Sequence, residues 1–191
     1  IVQSTNNACV SLRWFRDTFG REAAREARAA GCGIYPYLDR LAAAAPAGAG
    51  GLIWLPYLAG EQSPVWDTQA RGVFYGAGLE TDYPSFIRAV LEGVAFSQRH
   101  CLEVVLDRAA RPDIIPLGGG AANSPLWCRI FADVLGVPVA RLRSNETEIL
   151  GDIIIAAQAM GIQEIAPDFG KVLAAEGEVF WPDDVRACVY D

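Results

Sequence analysis

The chain has 191 residues, 52% of them hydrophobic and 20% charged, with a formal net charge of −7. That balance supports a packed core over one domain, residues 1–191, and excludes a disordered chain. An acidic surface gains nothing from releasing phosphate counterions, so nucleic acid is not an expected partner. No apolar stretch approaches the length of a membrane span, so neither is a membrane.

Residues 5–20, "TNNACVSLRWFRDTFG", predict a helix with Leu12, Phe15 and Phe19 on one stripe and Gly20 as its stop. "REAAREARAAG" has strong helix propensity and ends at Gly31, and a third helix is predicted from Tyr35 to Ala45. "PAGAGG" breaks the chain at the end of an Ala/Gly run over 42–51. "LIWLPYL" and "GVFYGAGL" follow as strands. The longest helical pattern runs from Pro84 to about Ala109, with Asp82 as cap and Pro84 in its first turn. "DIIPL" is then a buried strand, 123–135 a helix, "VPVARL" a strand and 148–160 an apolar helix. This alternation predicts a sheet with parallel neighbours covered by helices. Ile1 is not methionine, and "VFWPDDVRACVYD" ends without a completed helix pattern, which reads as a piece of a longer chain.

Cys9, Cys32, Cys101, Cys128 and Cys188 are scattered without a C-x-x-C pair, and His100 is the only histidine. A zinc site is therefore not expected, and the thiols read as small core residues in a reducing cytoplasm. His100 reads as a partly exposed helix residue. Arg88 and Glu92, four apart, read as a local ion pair. Glu61, Asp67 and Arg71 read as charges that order their loop, and tryptophans 14, 54, 66, 127 and 181 as packing residues.

"IIPLGGGAANSPLWCRIFADVLGVPV", residues 114–139, places three glycines between a buried strand and a helix. Such a turn lets backbone amides approach a ligand unhindered, and the following helix adds about half a positive charge at its N-terminus. Asn123 or Ser124 would cap that helix, with Pro125 in its first turn. A tight structural turn with a good cap explains the same residues equally well. The spacing is neither G-x-G-x-x-G nor a Walker loop.

"LGGGAANSPLWCRIFADVLGVPV" resembles the adenosine motif of the FGGY carbohydrate kinases. "LPYLAGEQSPVWDTQARGVFYGAGL", 55–79, and "FIRAVLEGVAF", 86–96, resemble two further blocks of that family in the expected order. "TNNACVSLRWFRD" is similar to the segment that precedes them in xylulokinase-like members. The resemblance implies an α/β fold, an actin-like ATPase (ribonuclease H-like) domain with a mixed sheet flanked by helices. It also implies that the chain is the incomplete C-terminal half of a two-domain kinase using ATP and Mg²⁺. The missing N-terminal domain would supply most sugar contacts and be this chain's partner, and a second copy of the chain is another candidate partner. The aspartate base would lie upstream of Ile1, so no catalytic residue is assigned here and this chain alone is expected to be inactive.

The nucleotide contacts carried over by the resemblance are Gly119, Gly120, Asn123, Cys9 and Arg13. Cys9 stands where members often have glycine, and Arg13 reads equally well as a solvated helix cation. "LGDIIIAAQAMG", 150–161, resembles a helix whose small residues let the two domains cross, although Asp152 and Ile153 replace the usual alanines. Xylulose is the first sugar that the 55–79 block suggests. Gluconate, ribulose or another polyol remains open, as does a non-catalytic nucleotide-binding or interaction module.

Overall fold

The computed structural model describes residues 5, 7–142, 147–162 and 177–191. Three helices come first: α1 (Ala8–Phe19), α2 (Arg21–Ala29) and α3 (Ile34–Ala44). α1 begins later than the predicted 5–20. Asn7 is buried and turned outward to bond elsewhere, its Nδ2 donating to the Gly60 carbonyl at 2.8 Å; residue 6 lies outside the described residues. Gly20 ends α1, and a Cβ there would fall 2.5 Å from the Arg16 carbonyl oxygen.

The breaker after α3 leads into an antiparallel pair, β1 (Ile53–Leu55) and β2 (Val73–Tyr75), with Trp54 opposite Phe74. Pro56 has no amide to donate, so β1 stops at three residues. Trp54 and Phe74 face inward with ring centroids 4.3 Å apart, and Trp14 of α1 stacks on Trp54 at 5.4 Å and 12°. Of the remaining tryptophans, Trp127 is buried. Trp66 and Trp181 are 74% and 70% exposed, so for these two the packing role is corrected: both sit on loop surface.

Helix α4 (Tyr83–Leu106) is the spine. Asp82 caps it by accepting from the Ser85 amide at 2.9 Å, and Pro84 occupies its first turn. Its residues from Ile87 to Ala95 are all buried, and it packs against α1, α3, β1 and the later helix α5 (Pro125–Leu135). Gly93 is where β1 comes closest: a Cβ there would lie 2.2 Å from the Trp54 carbonyl oxygen. Strand β3 (Ile115–Leu117) pairs in parallel with β4 (Val139–Arg141), α5 forming the connection between them. β4 in turn pairs antiparallel with β5 (Val179–Phe180), which makes the sheet mixed. Phe15, Leu38, Ile87, Leu91, Ile130 and Val139 lie in the core between these layers.

Helix α6 (Thr147–Ala159) exposes Ile149, Ile153 and Ile155, and a Cβ at Gly151 would meet nothing within 4 Å among the described residues. Helix α7 (Asp184–Tyr190) completes the chain, where the sequence pattern shows no finished helix. It is specified by a local cap and by distant contacts to α5 and α4. Asp183 accepts from the Arg186 amide at 3.0 Å, and Arg186 Nε reaches the buried Asp133 of α5 at 2.6 Å.

The second contact joins α7 to α4. Arg88 Nε donates to Glu92 Oε1 at 2.6 Å, as the four-residue spacing predicts, but both residues are buried, at 6% and 2% exposure. The Tyr190 hydroxyl donates to Glu92 Oε1 at 2.7 Å and accepts from Arg88 Nη2 at 2.9 Å. The Gly48 amide adds a fourth member by donating to Glu92 at 3.1 Å. Burial, then the Glu92 carboxylate, push the Tyr190 phenol well above its ordinary range, with Arg88 acting in the opposite direction.

Tyr190→Phe leaves Glu92 and Arg88 each short of a partner and is expected to cost about 1–3 kcal/mol in urea denaturation. A folded pKa above the unfolded one gives stability that is complete below the unfolded value, about 10, and is lost as pH rises through the folded one. The alkaline loss of stability should therefore be smaller in the Phe variant than in the wild type.

Candidate functional site

Strand β3 runs directly into the glycine turn, and the backbone there explains one glycine by conformation and another by proximity. Gly119 has φ 72° and ψ −159°, a region essentially restricted to glycine, although nothing among the described residues lies within 4 Å of an added Cβ. Gly120 begins a single 3-10 turn, Gly120–Asn123, and a Cβ on it would stand 3.3 Å from Cys9 Sγ. Next comes Ser124, whose Oγ accepts from the Trp127 amide at 3.0 Å and caps α5, with Pro125 in the first turn. Of the two capping candidates, Ser124 takes the role, and Asn123 sits exposed just outside the helix.

A cavity of about 380 Å³ faces this turn. Cys9 and Leu12 of α1 form one wall, and Tyr35, Pro36 and Asp39 of α3 form a second. Gly120, Asn123 and Ser124 close it on the turn side, above buried Trp127. The Trp127 indole donates to the Leu91 carbonyl at 2.9 Å, which fixes the start of α5 against α4. Three of the residues singled out in the sequence, Cys9, Gly120 and Asn123, thus meet around one space, with Gly119 setting the turn. Arg13 is exposed on α1 and does not line it. Although Cys9 as a residue is exposed, its sulfur packs against the turn. That burial raises the thiol pKa, partly offset by the Ala121 backbone.

Asp39, Tyr35 and Pro36 carry no motif and were not singled out by sequence reasoning. The signal available was their i, i+1, i+4 spacing on one face of α3. Asp39 is half-buried, which raises its carboxyl pKa, while a hydrogen bond from Ser124 lowers it.

The cavity has an apolar, partly aromatic interior and an α5 N-terminus at one end, suited to a flat molecule with an anionic tail. Among the described residues no three His, Cys, Asp or Glu side chains converge as a metal site. Glu61, Asp67 and Arg71 do not line the cavity. Glu61 and Asp67 exchange backbone hydrogen bonds at 2.9 and 3.0 Å, and Arg71 donates to the Ala70 carbonyl at 2.7 Å, so these residues hold their own loop in shape. A wider groove of about 580 Å³ between α1 and α2, lined by Arg16, Arg21 and Arg28, is open surface and includes no residue of the turn.

The pattern of the C-terminal domain of the FGGY family of carbohydrate kinases matches residues 1–160. A xylulose kinase of Staphylococcus epidermidis is 30% identical over 181 residues, 95% of this chain and 34% of that protein. A gluconokinase of Bacillus licheniformis is 33% identical over 157 residues, 82% of this chain and 31% of that protein. The ligand-bound crystal structure of xylulose kinase from Lactobacillus acidophilus superposes with a TM-score of 0.79 at 29% identity, covering 97% of this chain and 36% of that one. The chain therefore spans about a third of the length of the curated relatives it matches.

The two structural contributions of the turn, backbone conformation and cap, can be measured separately. Gly119→Ala is expected to cost about 1–3 kcal/mol of stability through backbone strain alone. Ser124→Ala should cost about 1 kcal/mol through loss of the cap. Thermal and urea melts of the two variants check both figures.

Proposed function

The chain belongs to the FGGY family of carbohydrate kinases, whose C-terminal-domain pattern it matches, and we propose that it forms the nucleotide-holding half of an enzyme transferring the γ-phosphoryl group of ATP to a hydroxyl of a sugar or polyol. The observation that carries this reading is the meeting of Cys9 with Gly120 and Asn123 around one cavity at the start of α5. These residues come from distant parts of the chain, and a turn with only a structural role has no need of the α1 and α3 walls facing it.

Phosphoryl transfer asks a protein chiefly for alignment, charge neutralisation and a base for the acceptor hydroxyl. In this chain the alignment falls to the turn. Backbone amides at Gly119 and Gly120, with the partial positive charge of the α5 N-terminus, would hold the α-phosphate. Asn123 would present its side-chain amide to the nucleotide as both donor and acceptor. Leu12, Tyr35 and Pro36 would take the apolar faces of the adenosine. Mg²⁺, when bound, would supply charge neutralisation on the phosphates; the described residues form no His, Cys, Asp or Glu cluster that would hold it. The base and most sugar contacts would come from the N-terminal domain, and closure of the two halves would exclude water.

Xylulose is the sugar we favour, supported by the relatives and neighbours named xylulose kinase. Gluconate comes second, supported by the gluconokinase. The five cysteines are all free, which suits a cytoplasmic enzyme.

Asn123→Asp in the full-length protein should leave thermal stability within about 1 kcal/mol, because the cap lies elsewhere. It should raise the KM for ATP about tenfold, by placing a carboxylate beside nucleotide oxygens, and leave the sugar KM nearly unchanged. An unaltered ATP dependence would remove Asn123 from the site. The 191-residue chain alone should show no sugar phosphorylation in a coupled assay with ATP and xylulose. Measurable product would overturn the division of labour between the two halves.

A further inference from the structure

Asp39 is the one carboxylate among the described residues that line the cavity, and the proposed nucleotide reading leaves it without a role. A negative charge in this wall repels phosphate, so what it can recognise on a nucleotide is an uncharged O–H or N–H. Ser124 lies beside it in the cavity lining and carries the turn's cap, its hydroxyl accepting from the Trp127 amide. A carboxylate has about four acceptor positions. Partial burial without enough donors disfavours the charged form, so further donors arriving with a ligand would be bound strongly.

The order of groups along the cavity says which donors these are. The glycine turn and the α5 N-terminus stand at the anionic end. Asp39 comes next, lining the cavity with Ser124, the residue immediately after the turn. Tyr35 and Pro36 lie one helical turn earlier on α3. Arg16 sits over the Tyr35 ring, 5.2 Å from its centroid, and its Nη1 donates to the Tyr35 hydroxyl at 2.6 Å. Arg16 does not line the cavity, so it braces the ring from outside. A nucleotide laid with its phosphates at the turn and its base against Tyr35 and Pro36 places its ribose opposite Asp39. We propose that the Asp39 carboxylate accepts hydrogen bonds from the ribose hydroxyls and makes the site select ribonucleotides over nucleotides lacking them. This rests on the nucleotide reading above and adds a residue that determines specificity.

The test is calorimetric binding of ADP and of 2′,3′-dideoxyadenosine diphosphate to the full-length protein, with inosine diphosphate in parallel. The wild type should favour ADP over the dideoxy compound about tenfold or more, the scale of a hydrogen bond to a charged group. Asp39→Ala should bring that ratio below about twofold by weakening ADP alone. Asp39→Asn keeps an acceptor for Ser124, guards against a folding defect in the Ala variant, and should leave a ratio of about threefold. A wild-type ratio retained in both variants overturns the proposal, as does an equal loss for both ligands, which marks a structural role. Loss of a preference for ADP over inosine diphosphate, with the hydroxyl preference intact, would mean that Asp39 reads the base, and it also overturns the assignment. Failure of the wild type to bind ADP overturns the nucleotide reading and this inference together.

Discussion

Arg88 and Glu92 lie one turn apart on α4 with almost no access to water, and removing two charges from solvent is tolerated only when their remaining N–H groups and lone pairs are satisfied. The satisfying groups come from far along the chain, Tyr190 at the end of α7 and the Gly48 amide just after α3. One buried carboxylate therefore holds two distant segments to the spine. Gly48 has φ 79°, so the loop that delivers this amide also turns in a way that favours glycine. With that loop held, β1 is led across α4, where the missing side chain at Gly93 allows the Trp54 backbone to close in.

The candidate site inherits its shape from the same spine. Trp127 ties the first turn of α5 to the Leu91 carbonyl, and its own amide is taken by Ser124, so the cap and the anchor act through one residue. α3 packs on α4 from the other side and carries Tyr35, Pro36 and Asp39 toward the turn. The cavity is thus the space left between α1, α3 and the start of α5, whose separations are set by what they pack against. That makes the glycine turn a part of the site rather than the whole of it.

Helices were legible in the sequence where period and punctuation agree. α4 follows from its apolar spacing, Asp82 and Pro84, and α5 from its cap and Pro125. Misreadings occurred where a distant partner decides. Asn7 leaves α1 to bond Gly60, and α7 is short enough that Asp133, Glu92 and Arg88 are needed to hold it. The Arg88–Glu92 pair was visible as a pair, but spacing carries no information on burial. In the site, Gly119, Gly120, Asn123 and Cys9 were reached through a family resemblance. Asp39 was invisible because only the fold brings α3 against Ser124 and Asn123, far along the chain. Trp66 and Trp181 show the reverse error, since large aromatic side chains on loops need not find a core.

The near-parallel stacking of Trp14 on Trp54 has an optical consequence. Two indoles held face to face at this separation couple their electronic transitions, and the coupled pair contributes a circular dichroism couplet that isolated tryptophans lack. One ring belongs to α1, the helix that supplies Cys9 and Leu12 to the cavity, and the other to β1. The couplet therefore records whether that wall is seated against β1, independently of any ligand. The solvent-facing rings of Trp66 and Trp181 contribute a separate, quencher-accessible emission that is insensitive to the same movement.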